Sequence, residues 1–128
     1  MRNITAQKVG QIGETAAAAF LRKNGYRIIC RNFKTKIGEL DIIAAKKNTL
    51  VIVEVKARTS LFAGEPFEAV DAKKRRKLRH LANGFLAFGG VGKLQDYFEE
   101  TRIDIISVLM NPSGNIERIE HIKNAVEQ

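Results

Sequence analysis

The sequence predicts an α/β domain whose elements run αβββαββ, a mixed central sheet flanked by helices. Three observations carry that prediction. Apolar residues recur at helical spacing near the start of the chain. Three closely spaced runs of β-branched and apolar residues follow. A second helical stretch then separates these from two further strand-like runs.

The first helix is expected from Thr5 to Asn24, where Val9, Ile12, Ala16 and Phe20 form an apolar stripe beside an alanine run, and Gly25 supplies the stop. Strands are expected at Tyr26 to Phe33, Glu39 to Ala45 and Leu50 to Arg58. The breaks between them, Lys34 to Gly38 and Lys46 to Thr49, are short enough for hairpins. Leu50-Val51-Ile52-Val53 is apolar on both faces, as a central, covered strand requires. Thr59 to Pro66 reads as a loop with Gly64 and Pro66, and Asp71 is suited to cap a helix that runs to about Phe88 and stops at Gly89-Gly90. Gly90 to Glu100 is polar and without a clear period. Arg102 to Met110 reads as a fourth strand, Asn111-Pro112-Ser113-Gly114 as a turn, and Ile116 to Ile122 as a fifth, shorter strand.

The chain has 128 residues, 45% hydrophobic and 28% charged, with two prolines, so a single domain over residues 1–128 with a proper core is expected. No stretch approaches a membrane span, and Met1-Arg2-Asn3-Ile4-Thr5 has no apolar run behind it, so neither a secretory signal nor a membrane partner is expected. The single cysteine, Cys30, fits a reducing cytoplasm and a buried structural role. Twenty-two Lys and Arg against fourteen Asp and Glu give a net charge of +8. Such an excess favours a polyanionic partner, whose condensed counterions are released when cations meet phosphates. A merely basic soluble protein would show the same balance.

Side chains two apart on a strand share a face, so Glu54 and Lys56 point the same way. A hairpin centred between Lys47 and Asn48 pairs residues whose numbers sum to 95, which sets Asp41 opposite Glu54 with Cβ atoms roughly 5 Å apart. Two opposed carboxylates on a covered sheet repel, and a hard divalent cation such as Mg²⁺ or Mn²⁺ would resolve the conflict. Lys56 beside them could orient an attacking water or stabilise charge on a phosphoryl group. From spacing alone, a salt-bridge cluster at the exposed end of a sheet accounts for the same residues.

Glu14 lies on the small, packed stripe of Gly10, Ala17 and Leu21, either as a third site carboxylate or as an amphipathic edge residue. Lys74 precedes Leu78 and Leu81 by four and seven residues, which puts it on the core-facing stripe near the helix start. It also belongs to the run Lys73-Lys74-Arg75-Arg76-Lys77-Leu78-Arg79, a solvated helix face or a phosphate rail. His80 and His121 are expected at the surface. Gly89-Gly90-Val91-Gly92 follows a helix and reads as a stop, not a phosphate loop. Asp104 falls within a strand, where it can pair with Arg102 or a neighbour.

Gly13-Glu14 with its alanine run, Gly25-Tyr26, Arg31-Asn32, Gly38-Glu39-Leu40-Asp41-Ile42-Ile43-Ala44 and Val53-Glu54-Val55-Lys56-Ala57-Arg58 occur in the order seen in the YraN-like bacterial proteins. Gly64, Glu68-Ala69-Val70, Lys74 and Arg102-Ile103-Asp104 continue the likeness over nearly the whole chain. Leu40 stands where many relatives carry Ile, and Asp71 where Thr is frequent. That family in turn resembles the restriction-endonuclease-like superfamily, especially the archaeal Holliday-junction resolvases. The resemblance implies a restriction-endonuclease-like fold, Glu14 as the helix glutamate, Asp41 and Glu54 as metal carboxylates, and Lys56 as the catalytic lysine. It also implies that the Val55 carbonyl joins the metal shell.

The expected function is hydrolysis of phosphodiester bonds with Mg²⁺ or Mn²⁺ in nucleic acid, with DNA favoured over RNA and branched substrates in view. A non-catalytic nucleic-acid-binding module that kept the fold is the rival, and a protein-binding adaptor is a third reading. The chain is compatible with a monomer or a homodimer.

Overall fold

The computed structural model describes residues 4–60, 72–88 and 97–126. Its elements are α1 (Ala6–Lys23), β1 (Arg27–Thr35), β2 (Gly38–Lys46), β3 (Thr49–Thr59), α2 (Ala72–Phe88), β4 (Glu100–Met110) and β5 (Ile116–Val126). The order is αβββαββ, as the sequence predicts. The expected Thr59–Pro66 loop beyond residue 60, the Asp71 cap, Glu68-Ala69-Val70, the Gly89-Gly90 stop and most of the Gly90–Glu100 stretch lie outside the described residues.

Local chemistry sets the ends of α1. Thr5 caps it by accepting the Lys8 amide at 3.1 Å. At the other end Gly25, with φ of +89°, lets the Gly25 amide return to Arg22 and the Tyr26 amide to Leu21. That turn delivers Tyr26 into the core, where it is buried, so β1 begins one residue later than expected.

The five strands lie in sequence order. β1–β2, β2–β3 and β4–β5 pair antiparallel, whereas β3 and β4 pair parallel over eleven positions from Thr49↔Glu100 to Thr59↔Met110. A parallel neighbour needs a crossover, and α2 lies in that connection. The crossover makes β3 the central strand, consistent with its unbroken Leu50–Val53 run.

Each helix covers one face. Val9, Ala17, Ala18 and Leu21 of α1 pack on Ile42, Ala44, Val51, Val53, Ile106, Val108 and Met110. Leu78, Leu81, Ala82 and Phe85 of α2 pack on Leu40, Ile43, Leu50, Ile52 and Ile103. The approach of α1 is close: a Cβ built on Gly13 would overlap the Ala57 Cβ of β3.

β5 is longer than expected, running to Val126 in place of Ile122. Lys123 and Asn124 interrupt the apolar pattern before Ala125 and the buried Val126, which hides the extension from the sequence pattern. A register shift between Ile103 and Ile105 accommodates it, with Asn124 at φ +53° and its amide bonded to the buried Asp104 carboxylate at 2.8 Å. His121, expected at the surface, is pulled in by the same group: its side chain is 8% exposed and its Nε2 lies 2.7 Å from Asp104 Oδ2. His80 is exposed.

Candidate metal centre

The β2–β3 hairpin has the register read from its turn. Lys46 pairs with Thr49, and Ile42 with Val53, so paired numbers sum to 95. The ladder stops there, one pair short of Asp41 and Glu54. At the same point the alternation of β2 breaks: Leu40 belongs to the α2-side core, yet Ile42, two residues on, belongs to the α1-side core. On the neighbouring strand Asn32 takes φ +55°. Asp41 sits at this fork, where its Oδ2 accepts the Val55 amide at 2.8 Å.

Because it lies at the fork, Asp41 lines two cavities. The larger, about 860 Å³, opens between α1 and the β1–β2 hairpin, and its walls include Glu14, Arg31, Lys34, Glu39, Asp41, Val55 and Lys56. The smaller, about 220 Å³, lies on the α2 side and is lined by Glu39, Asp41, Glu54, Lys74 and Lys77 with Leu78 and Leu81.

Carboxylate oxygens of Glu14, Glu39 and Asp41 lie within 4.8 Å of one another, so these three can hold a metal ion. Glu14 reaches the group because Gly13, one residue before it, seats α1 on Ala57. Arg31 Nε binds Glu14 at 3.2 Å and Arg31 Nη2 meets Thr15 Oγ1 at 3.4 Å. Glu54 is buried and its Oε1 lies 3.1 Å from Lys74 Nζ, on the α2 side of the fork. Its charge nevertheless acts on Asp41. Burial first, then the Glu54 charge, push the Asp41 carboxyl up to about 7, with smaller pushes from Glu14 and Glu39 and an opposing pull from the Val55 amide.

Of the residues expected at the site, Glu14, Asp41, Val55 and Lys56 therefore share the larger cavity, and Glu54 stands beside it behind the fork. The residue that sequence reasoning passed over is Glu39. The signal was present, since Glu39 and Asp41 are two apart on one strand, but an exposed glutamate next to a hairpin turn gives no hint of convergence with a helix. In the basic run, Lys73, Arg75, Arg76 and Lys77 are exposed, Arg79 is half-buried, and Lys74 turns in to Glu54.

A second polar cluster lies away from this centre. Asp104, fully buried, takes both Arg102 Nε and Nη2 at 2.9 Å together with His121 and the Asn124 amide, and Arg102 Nη2 also meets the Tyr26 hydroxyl at 2.9 Å. Burial works to raise the Asp104 carboxyl, but these hydrogen bonds outweigh it and hold it below the usual carboxylate range. With every oxygen engaged, the cluster is a structural pin.

The sheet order and the helix on each face define an α/β protein of the restriction-endonuclease-like kind, carrying an acidic centre at a strand fork. The model of the uncharacterised protein family UPF0102 matches residues 13–108, and the chain belongs to that YraN-like family. The UPF0102 protein of Caldanaerobacter subterraneus subsp. tengcongensis is 44% identical, covering 98% of this chain and 99% of its own. Those of Moorella thermoacetica and Symbiobacterium thermophilum are 39% and 42% identical over 95% and 94% of this chain, and 98% and 97% of theirs. Among solved structures, that of Pyrococcus furiosus SfsA in complex with Ca²⁺ superposes with a TM-score of 0.37 at 16% identity, covering 98% of this chain and 66% of the other. That likeness is too loose to carry an inference. No described helix is long and apolar enough to cross a membrane.

Proposed function

We propose that this protein is a single-domain, metal-dependent nuclease that hydrolyses phosphodiester bonds of nucleic acid, DNA before RNA, including branched forms. The observation that carries this reading is the convergence of Glu14, Glu39 and Asp41 within 4.8 Å in a cavity that also holds Lys56.

The donor set suits a hard cation. Oxygen ligands from carboxylates are what Mg²⁺ and Mn²⁺ take, with remaining positions left for water and phosphate. Asp41, raised to about 7 by burial and by neighbouring carboxylates, sits among acids that repel one another, and a divalent cation held between them relieves that repulsion. Such an ion, when bound, polarises the phosphoryl group and lowers the pKa of an attacking water. Asp41 and Glu14, with Glu39, would hold it, and the Val55 carbonyl is a further candidate ligand. Glu54 supports Asp41 across the fork and is itself steadied by Lys74. Lys56, one of the cations lining this cavity, would orient the water or stabilise charge on the phosphate. The exposed cations of α2, Lys73, Arg75, Arg76 and Lys77, supply non-specific phosphate affinity.

The test is a panel of linear, flapped, single-stranded and four-way substrates incubated with the protein in Mg²⁺ and Mn²⁺. Cleavage is expected, and Asp41→Ala and Glu54→Ala should abolish it. Lys56→Ala should keep metal binding while losing about 100-fold or more in turnover, the size seen when one preorganised electrostatic group is removed. The basic face of α2 would serve a non-catalytic binding module equally well. Salt-sensitive binding without cleavage of any substrate would establish that reading instead.

A further inference from the structure

The larger cavity is charge-balanced before any metal enters. Three carboxylates, Glu14, Glu39 and Asp41, face three cations, Arg31, Lys34 and Lys56, around one space. A divalent cation added to that space leaves a surplus of positive charge. A nucleic-acid phosphate is the anion that would offset it.

Arg31 is the cation placed to respond. It stands on the edge strand β1, next to Asn32 at φ +55°, and its side chain is 33% exposed. It holds Glu14 through Nε alone and reaches Thr15 at the long end of hydrogen-bond distance, 3.4 Å. A guanidinium has five N–H donors in a planar fork suited to two phosphate oxygens. The Glu14 contact is therefore a partial use of Arg31, and it competes with a metal for the same carboxylate.

We propose that Arg31 exchanges partners as the metal binds. It neutralises Glu14 in the metal-free protein and turns to a backbone phosphate of the nucleic acid once a divalent cation occupies the carboxylates. This rests on the metal-centre reading above and adds to it a phosphate subsite and a reason for metal and nucleic acid to bind cooperatively. By linkage, the metal strengthens nucleic-acid binding by the same factor by which nucleic acid strengthens metal binding.

Two measurements on the wild type, Arg31→Gln and Arg31→Lys test it. The first is Mn²⁺ affinity by calorimetry without nucleic acid. The second is fluorescence anisotropy of a labelled, hydrolysis-resistant phosphorothioate oligonucleotide with and without saturating Mn²⁺ at constant ionic strength. In the wild type, Mn²⁺ should tighten oligonucleotide binding by about fivefold or more. Arg31→Gln should bind Mn²⁺ roughly two- to fivefold more tightly, because a competing charge has gone. It should also lose most of the coupling to the oligonucleotide, and Arg31→Lys should recover part of it. Weaker Mn²⁺ binding by Arg31→Gln would show that Arg31 only holds Glu14 in place for the metal, and would overturn the exchange. Undiminished coupling in Arg31→Gln would overturn it as well. A wild type that binds no Mn²⁺ sinks the metal-centre reading itself, an outcome distinct from metal binding with unaltered coupling.

Discussion

The Asp41 carboxylate accepts the Val55 amide at 2.8 Å across the point where β2 parts from β3, so one side chain both seals the fork and faces the cavities on either side of it. Its environment sets a conflict between stability and chemistry that pH exposes.

The Asp41 carboxyl stands at about 7 in the folded protein against 3.8 for the ordinary group. The folded state binds that proton more tightly than the unfolded chain does. Stability is therefore fully present below about pH 4 and declines as pH rises toward 7, by an amount on the order of 3 kcal/mol. Asp41→Asn should melt at a higher temperature than the wild type at pH 8 and at nearly the same temperature at pH 4. Mn²⁺ added at pH 8 should narrow that gap by stabilising only the wild type. Thermal melts at the two pH values decide it, and equal melting temperatures at pH 8 would remove the conflict.

The Gly13–Ala57 contact places Glu14 and leaves no room for a methyl group. Gly13→Ala should destabilise the protein by about 1–3 kcal/mol through overpacking, despite the better helix propensity of alanine. Adding Ala57→Gly should recover most of the loss, because the two methyl groups compete for one space. Urea denaturation of both single variants and the double variant yields the coupling, and simple additivity would count against the contact.

The exposed cations of α2 should act through phosphates. Replacing Lys73 and Lys77 by Glu should weaken oligonucleotide binding almost equally for all sequences. It should also flatten the plot of log affinity against log salt by about two for two lost phosphate contacts. An unchanged salt slope would take this helix out of the interface.

Asp104 makes a prediction of opposite sign to that of Asp41. Its carboxyl is held below the ordinary 3.8 in the folded state, so it contributes stability that is present above about pH 4 and is lost as pH falls further. Asp104→Ala should cost roughly 3–5 kcal/mol at neutral pH, since it strands Arg102 and the buried His121 without their shared partner. The difference from wild type should shrink on acidification, which denaturant melts at pH 7 and pH 3 would measure.

What the sequence by itself determined was each helix and strand among the described residues and the β2–β3 register. Those features are local. The apolar stripe of α1, the Gly25 stop, and the turn at Lys47-Asn48 act over a few residues, and a tight turn leaves one pairing for the strands beyond it. What only the tertiary structure decided was which charged groups meet. The register set Asp41 opposite Glu54, but the ladder ends one pair earlier, so that Asp41 lines both cavities and Glu54 only the smaller. Glu39 enters the cluster because α1 approaches β3 at Gly13, a distance set by the absence of one methyl group across two elements. His121 and the Asn124 amide near the end of β5 are likewise held by Asp104, seventeen or more residues away in sequence. A carboxylate finds its partners through packing between elements, and spacing along one strand records only the face from which it starts.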